Sequence, residues 1–570
     1  MLSSARTNIL QLGRSRLAPH ARRCYATTST AEHRDVVIVG GGPAGLALAS
    51  ALSSSKAVRD SLRVTLVEAG DLAKIKEWQM PADSFHNRVS SITNTSRGFL
   101  EEIGVWEYVD GARTQPIEDM QVWDGISDAR IAFTASDLPV QRTPHITTMV
   151  ENLNLQRASL RYLSRYPEVE LLDNVKVQSI TPDESEGGSW PLVHLSDGRV
   201  IRARLLIGAD GHNSPVRKYA GIESYGWAYD THAIVATLHH AAPSPLSPPN
   251  TIAYQRFLPT GPIAFLPLSP TASSLVWSTK PKLAVALKAV EPQVLAGMIN
   301  AAFRLSAVSM KYMHDRVLEA QEAGKPLAPT EFLEELAFRE RSDGIDAHSA
   351  LSSIVREQSA EGIPPEGADA VPPLVRSIQE GTVASFPLRL THAEAYIGQG
   401  AGARTVLVGD AAHTIHPLAG QGLNGGLGDV EALASCIESA VLNGADVGSY
   451  TALKPYAHER YLANHTMLSV CDKLHKIYSF SSEPVVWARS VGVEVLNELD
   501  TLKAALVLSA GSERTKRDSR VVGSELAAKS IETFARSIDN ARTVGEAFAN
   551  MTGAGLKYVF KQAADAGRRS

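Results

Sequence analysis

Asp35-Val36-Val37-Ile38-Val39-Gly40-Gly41-Gly42-Pro43-Ala44-Gly45-Leu46-Ala47-Leu48-Ala49 is the stretch that decides the fold. Four β-branched residues make a buried strand, a glycine cluster turns the chain, and the Ala/Leu run that follows reads as a helix. Gly40, Gly42 and Gly45 fall on the three positions of G-x-G-x-x-G. The first permits the turn, the second lets backbone N–H groups approach a pyrophosphate, and the third packs helix against strand. Pro43 and Ala44 open the helix, so its N-terminus faces the phosphate charge.

Working outward, Leu62–Glu68 reads as a second strand. It ends in an acid, Glu68, 23 residues beyond Gly45. A carboxylate there can accept both ribose hydroxyls of an adenosine. The nucleotide is NAD or FAD on this much of the chain.

The whole chain of 570 residues is 44% hydrophobic and 21% charged, an ordinary globular composition that argues against collagen-like or largely disordered protein. Its length suits two or three domains. A net charge of −5 gives no support to nucleic acid as a partner. Cys24, Cys436 and Cys471 lie far apart with no C-x-x-C pair, so neither a zinc site nor a disulfide framework is expected. The uncharged run Val36–Ser55 is long enough to suggest a membrane span, but its glycines and serines fit strand, turn and helix better. Residues 1–31 carry Arg6, Arg14, Arg16, Arg22 and Arg23 and no acid, the pattern of a mitochondrial transit peptide processed near residues 25–32.

Two later segments select the nucleotide. Val200–Gly208 is a strand running into Ala209-Asp210-Gly211, with Arg217 close behind. Arg404-Thr405-Val406-Leu407-Val408-Gly409-Asp410 is a strand that delivers an acid to a loop. That loop continues His413-Thr414-Ile415-His416-Pro417-Leu418-Ala419-Gly420-Gln421-Gly422-Leu423-Asn424-Gly425-Gly426. These segments resemble the D-G and G-D motifs of the p-hydroxybenzoate-hydroxylase-like FAD monooxygenases. Within that family, H-P-L-A-G-Q-G-L-N is similar to the ubiquinone-biosynthesis hydroxylases of mitochondria. The sequence departs from the commonest family form at Gly425, where an apolar residue usually follows the Asn, and a more mobile loop is expected there.

The resemblance implies an α/β fold: a Rossmann-like FAD domain with an inserted mixed β-sheet substrate domain and a helical C-terminal region. It implies that Asp210, Gly409 and Asp410 contact FAD. Pro417, Gly420, Gly422, Leu423 and Asn424 would turn helix N–H groups toward the flavin's pyrimidine edge, where negative charge develops on reduction. Arg88, Asn152 and Gln156 match family positions that approach the cofactor. His413 and His416 are not expected to bind metal, with only one carboxylate nearby.

The implied boundaries are 35–115, 141–220 and 395–465 for the FAD domain, and 116–140 with 221–394 for the substrate domain. Residues 310–375, charge-rich and Pro/Gly-rich, are expected to be a mobile insertion, and 466–570 a helical region. Residues 251–258, 262–268 and 274–279 read as strands, with Phe257, Phe265 and Trp277 as possible walls of a substrate pocket or as ordinary sheet core. Helices are expected at Asp429–Leu442, Val486–Leu508 and Ile531–Gln562, the last either lying on anionic lipid or packing against its own domain. Tyr456-Ala457-His458-Glu459-Arg460 resembles the family's Y-E-x-x-R element with one position altered.

The implied activity is hydroxylation of a polyprenyl-phenol ring by O2 through a flavin C4a-hydroperoxide, with no protein nucleophile. No second strand–G-x-G-x-x-G–helix unit is present, which suits family members that take electrons from NAD(P)H without a separate domain and equally those supplied by ferredoxin and its reductase; the transit peptide favours ferredoxin. Other quinone-biosynthesis proteins are implied partners, at the matrix face of the inner membrane. Two other readings share the first motif: an FAD oxidoreductase acting on another aromatic substrate, and a non-catalytic escort protein of the same fold.

Overall fold

Strand Glu32–Val39 lies inside a seven-stranded mixed sheet, parallel to Val64–Val67 on one side and to Val200–Gly208 on the other. The computed structural model describes residues 31–127, 129–135, 145–183, 190–243, 249–355, 367–415 and 420–479. Beyond Val64–Val67 the sheet ends in Glu170–Leu172. Beyond Val200–Gly208 it continues antiparallel through Pro191–Leu195 and Val177–Pro182, while Thr405–Leu407 joins the second half of Val200–Gly208 in parallel. Val36, Val37 and Ile38 are fully buried, as a strand covered on both faces must be. Helices Pro43–Ser54, Asn152–Leu163 and Gly422–Leu442 contribute Leu46, Leu155, Ala158, Val430 and Leu433 to the same core.

A second, nine-stranded sheet stands beside the first. Its order runs His413–Thr414, Ala384–Ala393, Ser224–His240, Ala272–Thr279, Gly261–Pro267, Ile252–Leu258, Asp119–Asp124 and Arg130–Thr134, with Val375–Ile378 also on Ser224–His240. All neighbours are antiparallel except Ile252–Leu258 with Asp119–Asp124. The strands read from sequence around 251–279 are present, and the hairpin closes at Leu258 opposite Gly261. A small three-stranded sheet of Val89–Thr93, Thr147–Glu151 and Thr114–Ile117 completes the β structure among the described residues.

One face of the large sheet is covered by helices Pro281–Ala289, Pro292–Arg304, Ala307–Glu322 and Pro329–Ser342. This corrects the expectation of a mobile insertion over 310–375 as far as residue 342. Met310, Met313, Val317, Phe332 and Leu336 are buried, and the charges that suggested an insertion occupy the outer faces of two packed helices. Arg316, for example, bonds Glu319, Glu331 and Glu335 across them. The leader and the expected helices Val486–Leu508 and Ile531–Gln562 lie outside the described residues. Among the described residues no helix is long and apolar enough to cross a membrane.

Candidate active site

The carboxyl ends of four neighbouring parallel strands carry the motif loops side by side. Val39 is in register with Val67 and with Gly208, and Gly208 with Leu407. Glu68, the Gly40 turn, Asp210 and Gly409 therefore leave one edge of one sheet, where a doubly wound fold binds its ligand.

The glycines there are dictated by close approach. Gly40 has φ +109°, and a Cβ on it would come within 2.3 Å of the Ala209 carbonyl oxygen. A Cβ on Gly45 would strike the Gly40 carbonyl oxygen at 1.9 Å, so helix and turn could not pack. Gly42, by contrast, faces open space, with no atom within 4 Å of an added Cβ. The helix begun by Pro43 has no side-chain cap, and its first internal bond is Leu46 N–H to the Gly42 carbonyl. Its earlier N–H groups remain available to a ligand.

Glu68 lies against the turn, its carboxylate accepting from Gly41 N–H and, at 2.7 Å, from Gly70 N–H. Gln156 donates to the Gly41 carbonyl at 3.0 Å and so fixes the turn from behind. Asp210 accepts from Val216 N–H at 3.2 Å through one oxygen, while its buried Oδ1 has no partner among the described residues. Burial raises its carboxyl above the usual range, and Ser214 and the backbone oppose this. Asp410 is solvent-accessible yet set among protein walls, whose desolvation raises its carboxyl against the pull of His413 and His212. A carboxylate both accessible and desolvated lines a recess. Arg217 ties the two acidic loops together, donating to the carbonyls of Ala411 (2.6 Å) and His212 (2.5 Å).

The two distant glycine segments meet. A Cβ on Gly426 would lie 3.4 Å from Gly409 Cα and 3.8 Å from Ala44 Cβ. The helix Gly422–Leu442 thus starts beside the first motif, and it too lacks a side-chain cap. Gly425 N–H bonds the Gln421 carbonyl at 2.8 Å, and no described residue accepts from the N–H groups of Gly422, Leu423 or Asn424 before it. The Asn424 side chain is committed elsewhere: Nδ2 donates to the Ser91 carbonyl and Oδ1 accepts from Thr93 N–H. It anchors the helix to strand Val89–Thr93, so only its backbone faces the recess. Gly420 holds φ +59° beside Ser91, and Pro417 lies outside the described residues.

Arg88 is exposed and its guanidinium bonds no described residue; it is carried on a firmly held loop. Arg113 and Glu151 form a buried pair at 2.6 Å behind that loop, and Arg113 also donates to the carbonyls of Pro81 and Ser84. Asn152 bonds the Arg88 carbonyl through its N–H and Ser90 through its side chain. Phe265 and Trp277 do not line the recess. Both are fully buried against the helices behind the large sheet, Phe265 edge-on to Phe303 and Trp277 beside His314. Phe257 points to the other face, stacked on Tyr478 at 3.9 Å. The strand alternation explains the split: residues 263, 265, 275 and 277 share one face.

Sequence reading missed the polar centre below the recess. Asp429, fully buried, accepts from Gly409 N–H (3.0 Å) and His413 Nε2–H (2.7 Å) through one oxygen. Through the other it accepts from Arg460 Nε (2.9 Å) and Asn464 Nδ2 (2.8 Å). Burial alone would raise this carboxyl; His413 and Arg460 overcome that and hold it at about 2. The signal was present as a lone acid on the apolar face of Gly422–Leu442, which requires partners.

Residues 33–322 and 380–469 match the family model described as an FAD binding domain. The chain is 37% identical to ubiquinone biosynthesis monooxygenase COQ6, mitochondrial, of Schizosaccharomyces pombe, over 82% of this chain and 90% of that one. It is 37% identical to the Saccharomyces cerevisiae protein of the same name, covering 85% and 95%. The chain belongs to the COQ6 family of ubiquinone biosynthesis monooxygenases. The human COQ6 protein is 33% identical over 88% of this chain and 98% of its own. Among solved structures, Pseudomonas aeruginosa PqsL in complex with 2-aminobenzoylacetate aligns over 81% of this chain and 99% of its own, with TM-score 0.54 and 21% identity. p-Nitrophenol 4-monooxygenase PnpA from Pseudomonas putida aligns over 85% and 100%, with TM-score 0.56 and 16% identity. At those identities the structures establish the shared fold.

The residues present fit the family's cofactor, FAD. The open space over Gly42, the two uncapped helix starts and the unpartnered Asp210 Oδ1 are what a dinucleotide with polar groups along its length requires. This COQ6-family chain is an FAD-dependent monooxygenase, and with its relatives it is mitochondrial.

Proposed function

We propose that this enzyme hydroxylates the aromatic ring of a polyprenyl-phenol precursor of ubiquinone, at the matrix face of the inner membrane. Electrons come from ferredoxin and its reductase, and the enzyme works alongside other proteins of quinone biosynthesis. The observation that carries the reading is the shared strand edge, where the first glycine motif and the Gly422 helix start meet at Ala44, Gly409 and Gly426.

When bound and reduced, FAD activates dioxygen and supplies the oxygen atom for an electron-rich ring carbon. The chain's own residues hold and orient. N–H groups at the Pro43 helix start would bind the pyrophosphate, Glu68 the adenosine ribose, and Asp210 and Asp410 the polar middle of the cofactor. N–H groups of Gly422, Leu423 and Asn424 would stabilise negative charge at the ring edge. Arg88, exposed and without a described partner, would add a positive charge on the cofactor's side. The face of the large sheet away from its helices would exclude water and seat the ring substrate.

Mass spectrometry of quinone precursors in cells lacking the protein tests the reaction: a precursor short of one ring hydroxyl is expected, and an unchanged quinone profile defeats the reading. Anaerobic flavin reduction by reduced ferredoxin, with NADPH as the comparison, tests the donor.

A further inference from the structure

The cluster around Asp429 is not explained by burial of apolar surface, and its geometry points outward to the recess. Four donors converge on two carboxylate oxygens: Gly409 N–H, His413 Nε2–H, Arg460 Nε and Asn464 Nδ2. The four come from three elements. Gly409, at φ +58°, is the turn of the acidic loop, and His413 is paired with His392 on the edge of the large sheet. Arg460 and Asn464 belong to the long helix Tyr450–Ser479. Arg460 reaches back to the Gly425 carbonyl at 3.3 Å and to Asn464 Oδ1 at 3.0 Å. Asn464 in turn donates to the Tyr396 hydroxyl at 3.1 Å, and Tyr396 bonds His392 at 3.1 Å.

The glycines of the helix start are shaped to this cluster. A Cβ on Gly428 would lie 2.8 Å from Arg460 Nη2, and one on Gly425 would lie 3.3 Å from His413 Cε1. The departure at Gly425 noted from sequence therefore has a structural reason: the His413 ring occupies the space a larger residue would need. Gly425 and Gly409 are both fixed from below by groups that meet at one carboxylate.

We propose that Asp429 is a positioning residue: its carboxylate sets the Gly409 turn and the Gly422 helix start at the spacing that the flavin requires. The proposal rests on the FAD reading. An amide cannot replace the carboxylate. In one orientation an Asn at 429 turns its NH2 toward Gly409 N–H, a donor that cannot reverse. In the other it faces Arg460, which has no acceptor to offer. His413 can adapt by changing tautomer and Asn464 by flipping its amide, but Gly409 N–H and Arg460 cannot.

The test compares Asp429→Asn with Glu340→Gln in the full-length protein. Glu340 is also buried but lies behind the large sheet, accepting from Ser352 and Ser353. Both variants are expected to unfold at lower temperature. Only Asp429→Asn is expected to weaken FAD binding, by about tenfold or more, as loss of a charge-assisted bond implies, and to lower the flavin midpoint potential. His413→Leu should weaken FAD in the same sense, and His413→Gln, whose amide can still donate, should restore it; this pair stands if Asp429→Asn does not fold. Unchanged FAD affinity and potential in Asp429→Asn, or equal changes in Glu340→Gln, would overturn the proposal alone. Wild-type protein that binds no FAD would overturn the cofactor assignment and the proposal with it.

Discussion

His314 shows how a single side chain gives the protein a pH limit. It is buried behind the large sheet beside Trp277, and its Nε2 has no described partner. Desolvation lowers its pKa from the ordinary 6.5 to about 4. The unfolded chain therefore takes up a proton at this position before the folded one does. The stabilisation is complete above pH 6.5 and is lost as pH falls toward 4, by up to about 3 kcal/mol. His392 is held near 4 by burial and by neighbouring His465 and His413, so it acts in the same direction. Replacing His314 with Leu should flatten part of this limb: the drop in urea midpoint between pH 7.5 and 5 should shrink relative to the wild type. An identical drop in the variant would place the pH dependence elsewhere. Composition gave no hint of this, because a histidine's meaning depends on what packs around it.

At the scale of elements, the legible parts were those whose local pattern and tertiary role agree. The strand Asp35–Val39 and its glycine turn could be read because Gly40, Gly41 and Gly45 each answer a contact within a few residues or at the same sheet edge, while Gly42 leaves the helix start open. The strands near 252–279 were readable from β-branched and aromatic runs, but their facing was not. Nothing in Phe265 itself says that four helices lie on its side: two of them were read as part of a charged insertion, and the other two, Pro281–Ala289 and Pro292–Arg304, drew no reading at all. The start of Gly422–Leu442 came from the family resemblance alone; the residues themselves were read as helix only from Asp429, because four glycines in the first two turns argue against a helix until Ala44, His413 and Arg460 are seen against them. The corrected facing has a consequence. Phe265→Leu should cost about 1 kcal/mol of stability, the price of a smaller side chain in a packed core, and leave the KM for the ring substrate unchanged. A KM increase without loss of stability would return Phe265 to the pocket.

At the scale of the whole molecule, the proposed function requires that the large sheet be held at a fixed height over the nucleotide edge, and the joint sets polar contacts beside an apolar cluster in which Phe85, Ile117 and Met149 meet Ala253, Leu268 and Ala272. The Gln379 side chain mimics a strand neighbour: Oε1 accepts from Phe85 N–H at 2.9 Å and Nε2 donates to the Phe85 carbonyl at 3.0 Å. Asn87 donates to the Thr382 carbonyl at 2.6 Å, and Thr237 N–H donates to Thr382 Oγ1 at 3.1 Å. The loop seated this way is the one that carries Arg88, with the Arg113–Glu151 pair locking it from behind. The joint thus fixes sheet, loop and nucleotide edge relative to one another, while none of its groups belongs to the glycine turns that would hold FAD. Gln379→Ala should therefore separate two properties that a general loss of structure would move together. FAD affinity should stay within about twofold of wild type, whereas the KM for the ring substrate should rise about fivefold, equivalent to one neutral hydrogen bond of about 1 kcal/mol. Oxygen consumption measured against hydroxylated product should show less product per O2, because a sheet free to lift admits water. If FAD affinity falls in step with KM, the joint serves the cofactor directly, and the two sheets are a single binding unit instead of a base and a cover.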